Sequence, residues 1–187
     1  MKKFILTLVL FTGISIAANA QIVFTSAKTL QKGNFSVGIN PAWGEYGYDF
    51  SLFLHGGYGV GNNADLNLKI GFGWFDPYVG LDYEKTLLSG KPSVSVYVGG
   101  HYWNNFGIDM GTVVTFPIKN INISTGLDAD LVFRRDFNDD LDLGFPVWLP
   151  LEVEFYLQKH LALTFEADIR LNNPAFTIVG GGLSIYL

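Results

Sequence analysis

The sequence predicts an all-β protein, an antiparallel up-and-down barrel that crosses a membrane with its strands. Three observations carry that expectation. The chain is 49% hydrophobic, yet beyond Gln21 no stretch approaches the roughly 18 consecutive apolar residues that a membrane-crossing helix needs. Its apolar residues recur instead at every second position over many short segments, the mark of a strand with two chemically different faces. The chain also closes on such a segment, where Val179, Leu183, Ile185 and Leu187 share one parity and Gly180, Gly182, Ser184 and Tyr186 the other.

A different kind of segment opens the chain. Lys2 and Lys3 precede an apolar stretch from Phe4 to Ala18, and Ala18-Asn19-Ala20 has the form of an export cleavage site. Residues 1–20 are therefore expected to be a Sec-type signal peptide, cut after Ala20. The stretch is short for a membrane anchor, and Thr7, Thr12, Gly13 and Ser15 interrupt it. The chain has no cysteine, which excludes a lipid-anchored N-terminus, disulfides and thiolate metal sites. Cleavage removes Lys2 and Lys3 and leaves 167 residues, with ten Lys and Arg against 17 Asp and Glu, a net of −7. That length suits one domain. The acidic balance argues against nucleic acid as a partner, because phosphate binding needs clustered positive charge. Residues 21–32, with Lys28 and Lys32, read as a periplasmic lead-in or a short plug, and residues 33–187 as the barrel domain.

Ten strands are expected, at about 33–43, 48–59, 64–74, 77–87, 93–103, 106–117, 120–133, 146–157, 160–171 and 175–187. In the third, Leu66, Leu68, Ile70, Phe72 and Trp74 alternate with Asn67, Lys69, Gly71 and Gly73. In the seventh, Ile121, Ile123, Leu127, Ala129, Leu131 and Phe133 alternate with Asn122, Ser124, Gly126, Asp128 and Asp130. A helix through that segment would scatter its apolar residues around every side. The ninth repeats the pattern, Leu161, Leu163, Phe165, Ala167, Ile169 and Leu171 against Ala162, Thr164, Glu166, Asp168 and Arg170. Turn chemistry separates the segments at Gly61-Asn62-Asn63, Asp76-Pro77, Ser89-Gly90-Lys91-Pro92, Asn104-Asn105, Lys119-Asn120 and Asn172-Asn173-Pro174. An even number of antiparallel strands puts both termini on one side, as a membrane barrel requires. Eight strands is the alternative, should one hairpin be loop.

With both termini periplasmic, Trp43, Trp74, Trp103 and Trp148 all fall at outer strand ends, with Phe75, Tyr78, Phe106, Phe133 and Phe145. Phe35, Tyr58, Tyr83, Phe116 and Tyr186 fall near inner ends. Two aromatic girdles are therefore expected, one at each water–lipid boundary. Trp103 and Trp148 have inward parity, so lining of the mouth or a bulge is the alternative for these two.

On these features the chain resembles the small bacterial outer-membrane β-barrels. Gly182, Ile185 and Leu187 are similar to the terminal insertion signal of that class, from which the chain departs in ending on Leu187 with the aromatic Tyr186 one place early. The resemblance covers nearly all of the mature chain and implies a bacterial outer-membrane location. It implies membrane lipid as a partner, and barrel-insertion machinery engaged through the C-terminal strand. It leaves the subfamily and the oligomeric state open, and it specifies architecture rather than activity.

Inward parity holds Asp49, Asp65, Asp82, Glu84, Asp109, Asp128, Asp130, Glu152, Glu154, Glu166 and Asp168, against Lys69 and Arg170 with His55 and His101. Unpaired carboxylates are costly in a dry interior. Two interiors follow: a hydrated, electronegative lumen that prefers cations, or a packed polar one whose acids share protons and hydrogen bonds. Inward glycines, among them Gly38, Gly71, Gly80, Gly99, Gly111 and Gly182, leave room for water. A wide solute channel is not expected, since that takes roughly 16 strands. The expected role is a structural barrel or a narrow, porin-like, cation-preferring pore.

Two alternatives belong to other classes. A rim-active lipid-modifying enzyme would use His101 and Asp109, a candidate cross-strand pair across the Asn104-Asn105 turn, as base and orienter. The sequence offers no nucleophile beside them, so no catalytic residue and no cofactor is expected, and a structural hydrogen bond is the preferred reading. A soluble periplasmic ligand-binding barrel would place apolar residues inside and charges outside. For metals, Asp136, Asn138, Asp140 and Asp142 recur at every second residue as calcium ligands do. Leu141 and Val147 stand where such a loop needs Gly and Glu. A solvated acidic loop is the preferred reading there.

Overall fold

The computed structural model describes residues 27–45, 50–73, 77–135, 141–173 and 175–187. Eleven strands are present among them: β1 (Phe35–Gly44), β2 (Phe50–Gly61), β3 (Ala64–Gly73), β4 (Tyr78–Leu88), β5 (Ser93–Trp103), β6 (Asn105–Ile118), β7 (Ile121–Arg135), β8 (Leu141–Gly144), β9 (Val147–Gln158), β10 (Leu161–Arg170) and β11 (Ile178–Tyr186). Ten of these close an antiparallel barrel in which each strand pairs with its sequence neighbours. β1 pairs with β11 to complete the ring, and β6 with β7.

The extra strand corrects one expectation. The segment after Phe133, read as an open acidic loop, begins and ends as a ladder. β8 pairs with the far end of β7, Arg135 opposite Leu141 and Val132 opposite Gly144. β7 is thus longer than β9 and, on the edge opposite β6, carries two partners, β9 along most of its length and β8 beyond it. The middle of the expected calcium loop (Asp136, Asn138 and Asp140) lies outside the described residues, and Asp142 is exposed on β8. The signal segment, Asp49 and Trp74 also lie outside them.

Tight turns set the register. Ile118 pairs with Ile121 across the turn at Lys119, whose φ is 55°, and Asn63 (φ 60°) and Asn104 (φ 59°) turn two further hairpins. Asparagine tolerates that left-handed conformation better than most residues. From those turns the period of two sorts every strand into faces. The outer wall carries Leu54, Leu66, Leu68, Phe72, Leu81, Val98, Met110, Phe116, Leu127, Leu151, Phe165 and Leu183, all exposed. At mid-strand no described outward position is charged. A soluble carrier would invert this pattern.

Both ends of the outer wall carry aromatics. At the end bearing the chain terminus, Phe35 and Tyr58 lie 4.7 Å apart between ring centroids, with Tyr83 and Phe116 also exposed there. At the far end Trp43 packs beside Phe50 at 5.3 Å, and Phe106 beside Phe133 at 5.9 Å. Trp103 and Trp148 do not belong to this ring. Their even-and-odd count puts them on the inner face, where both are buried, and Tyr78 turns inward with them.

Candidate functional site: a barrel interior closed at both ends

Trp148 is 0% exposed and sits at the centre of a cluster with Ala42, Phe53, Tyr78, Trp103, Ala175 and Ile178, all on the inner side of the far end. The β10–β11 connection folds into that mouth. Phe176 packs against Trp103 at 6.4 Å, and its carbonyl accepts a 2.9 Å hydrogen bond from the Trp148 indole N–H. The indole therefore buries its apolar body and satisfies its one donor, as a buried tryptophan must.

The opposite end is closed by a peptide. The backbone N–H of Ala27 donates to Thr115 Oγ1 at 2.8 Å, and Thr86 Oγ1 donates to the Ala27 carbonyl at 3.1 Å. Thr29 meets Thr86 at 3.0 Å, the Leu30 N–H donates to Asp65 Oδ2 at 2.9 Å, and Lys28 Nζ donates to Asn122 Oδ1 at 3.1 Å. The segment passes directly over Gly59, where a Cβ would stand 2.0 Å from the Gln31 carbonyl oxygen. Among the described residues of this stretch, 27–31 lie against the inner wall in the manner of a plug. Ala27 packs there against Tyr97 and Val113.

Between the closures lies the acidic belt. Asp65, Asp82, Glu84, Asp109, Asp128, Asp130, Glu152, Glu154, Glu166 and Asp168 are all buried on the inner wall. Lys69, 2% exposed, is buried among them and pairs with Asp82 at 2.8 Å. Arg170 is placed differently. Its side chain is 41% exposed at the far mouth, bridging to Glu45 at 3.2 Å, because the residue ends β10 where the wall gives out.

Side chains occupy the space that the inward glycines leave. A Cβ on Gly80 would fall 2.5 Å from the Tyr78 hydroxyl, on Gly99 2.0 Å from Asp82 Oδ1, and on Gly111 2.3 Å from the Tyr97 hydroxyl. His55 lies over Gly38, and Asn40 over Gly182, in the same way. His55, Asn40, Asp82 and Tyr97 each lie over a glycine of the neighbouring strand, and Tyr78 over Gly80 of its own strand. Asp109, Asp128 and Asp130 are 0% exposed, so no space the size of a water molecule touches them. Hydrogen bonds link the packed groups: Ser95 Oγ to Glu84, Tyr97 hydroxyl to Asp128, Asn122 Nδ2 to Glu154 at 2.7 Å, Tyr186 hydroxyl to Glu154, and Thr115 with Ser124 at 2.9 Å. At this level of the wall side chains pack against one another and against backbone.

His101 and Asp109 make their contact, Nδ1 to Oδ1, but inside the wall and not at a rim. Gly107 faces His101 across the hairpin and Gly99 faces Asp109, so the two side chains meet diagonally over bare backbone. Both are buried beneath Tyr78 and Trp103, out of reach of a lipid substrate. Asp130 joins them from β7 as the register partner of Asp109, a neighbour that hairpin reasoning on β5 and β6 alone does not reveal.

No known protein family and no curated protein matches the sequence. Among solved structures, the chain is similar in fold to the NanC porin, with a TM-score of 0.58, 9% identity, and 81% of this chain covering 100% of that one. The outer membrane protein Omp33 of Acinetobacter baumannii matches at a TM-score of 0.45 and 9% identity, over 83% of this chain and 99% of that one. At 9% identity the NanC likeness is one of fold alone, that of a closed antiparallel membrane β-barrel.

Proposed function

We propose that the protein is a bacterial outer-membrane barrel of structural character, held in lipid by its apolar wall and closed to solutes in its resting state. In this reading residues 1–20 direct export, cleavage follows Ala20, and the apolar terminal strand is read by the insertion machinery. The observation that carries it is the contrast between the two faces of one wall. Leu68 is 44% exposed outside while its neighbour Lys69 is 2% exposed inside, and both ends of that inside are filled. A face of such exposed leucines, valines and phenylalanines is stable in hydrocarbon and aggregates in water. The fold of the NanC porin supports the membrane assignment. It does not extend to conduction, for which a continuous aqueous path would be needed.

The lipid-modifying reading loses its support with the burial of His101 and Asp109. The test is electrical. The mature chain, refolded in detergent and shown by its heat-modifiable gel mobility to be folded, is reconstituted in a planar bilayer under a salt gradient. The expected result is an electrically silent barrel. Steady cation-selective steps would overturn closure and give the inward carboxylates the work of selection instead.

A further inference from the structure

From the inner wall of β5, β6 and β7 we infer a buried site for a divalent transition-metal ion, with Zn2+ the working case, held by His101, Asp109 and Asp130. The three residues come from consecutive strands, and one ligating atom of each lies within 4.8 Å of the others. Asp109 and Asp130 are direct register partners. Two like charges placed opposite on adjacent strands destabilise a sheet unless something between them is positive. The cation on the same wall, Lys69, forms its ion pair with Asp82 at 2.8 Å.

A second feature points into the same place. The Tyr78 ring stacks on the His101 imidazole, centroids 5.6 Å apart at 22°. Its hydroxyl reaches over Gly80, which is the register partner of His101. That hydroxyl is fully buried and makes no hydrogen bond, and neither does His101 Nε2. A polar group sealed into an interior without a partner is costly and rare. A metal ion, with a water or hydroxide on its remaining position, would use the two carboxylates and the imidazole as ligands and give the phenol a partner.

The donor set selects the class of ion. One imidazole with two carboxylates suits Zn2+ or a similar first-row dication at about 2.0–2.2 Å. Ca2+ and Mg2+ prefer oxygen-only shells with more ligands or waters. Bound there, the ion would join three adjacent strands of the wall and bring positive charge between Asp109 and Asp130. The proposal is independent of whether the barrel conducts.

Because His101, Asp109 and Asp130 are buried, metal is supplied during folding. The mature chain is refolded in detergent with Zn2+, passed over a desalting column and assayed for bound metal by mass spectrometry. A parallel sample is refolded with Co2+ for its visible spectrum. The expected result is one ion per folded barrel and Co2+ d–d bands of a nitrogen- and oxygen-ligated site. Asp130→Asn and His101→Gln should each lower retention by about tenfold or more, while Asp168→Asn, an equally buried carboxylate on another strand, should retain the ion. A folded wild-type barrel with no metal and no Co2+ bands would overturn the site, whatever the variants do. Equal retention in all four proteins would overturn it as well.

Discussion

The two ends of the barrel are closed by opposite chemistry. At the far end the rings of Trp103, Trp148, Tyr78 and Phe53, on the strands, form an apolar cluster that Ala175 and Phe176 of the β10–β11 connection join. At the end bearing the chain terminus the strands supply mostly polar anchors, and a separate peptide, residues 27–31, lies across them on hydrogen bonds to Thr115, Thr86, Asp65 and Asn122, with Ala27 packed against Tyr97 and Val113. One closure is part of the core and opens only by losing packing. The other is an added segment held chiefly by hydrogen bonds that water can replace, with one small apolar contact at Ala27. The same tube therefore has a permanent end and a detachable one.

The largest effect should come from the permanent end. Trp148→Ala removes a fully buried indole and the 2.9 Å bond to the Phe176 carbonyl, and should lower folding stability by about 3–5 kcal/mol. Trp43→Ala, which truncates the same side chain on the outer wall where it touches Phe50, should cost clearly less. Reversible urea unfolding in lipid vesicles measures both. Equal losses would mean that the far mouth is not packed as described.

The next effect separates the ends. Because the chain has no cysteine, a single Val113→Cys, buried beside Ala27 under the plug, reports on that end alone. A chain that begins at Lys32 lacks the plug and should lose about 1–3 kcal/mol, five net hydrogen bonds less the entropy of ordering the segment. In it the thiol should change from unreactive to reactive toward a small methanethiosulfonate reagent. Trp148→Ala in the full mature chain should leave it unreactive. Labelling in both backgrounds would show that the two closures are one cooperative unit.

How far these features could be read in the sequence depends on their range. The faces were legible because period two is local: Leu66 to Trp74 sorts itself without any knowledge of its neighbours. The inward parity of Trp103 and Trp148 was legible for the same reason, although their place at strand ends suggested a lipid girdle. The meeting of Asp109 with Asp130 was within reach too, since counting back from the turn at Lys119 pairs 118 with 121 and so 109 with 130. The packing over glycines was not. Whether Gly80 or Gly99 leaves room for water depends on which rotamers Tyr78 and Asp82 adopt along the wall. The sequence left a plug and a lead-in both open for residues 21–32, and where that segment docks was illegible for a stronger reason. Its anchors, Thr86, Thr115 and Asn122, are ordinary inward polar residues until a backbone from far away in sequence supplies their partner.

That distinction sets the smallest prediction. Thr86 accepts no packing burden at the plug. Its hydroxyl donates to the Ala27 carbonyl at 3.1 Å and meets the Thr29 hydroxyl at 3.0 Å. Thr86→Val keeps the shape, the β-branch and the strand preference while deleting both bonds, so the cost should be about 1 kcal/mol. The loss should vanish in the chain that begins at Lys32, where the hydroxyl has no plug to hold. A double-mutant cycle on urea unfolding reads this directly. A coupling near zero, with Thr86→Val costing the same with and without residues 27–31, would mean that Thr86 serves the wall and that the segment is held by its other contacts.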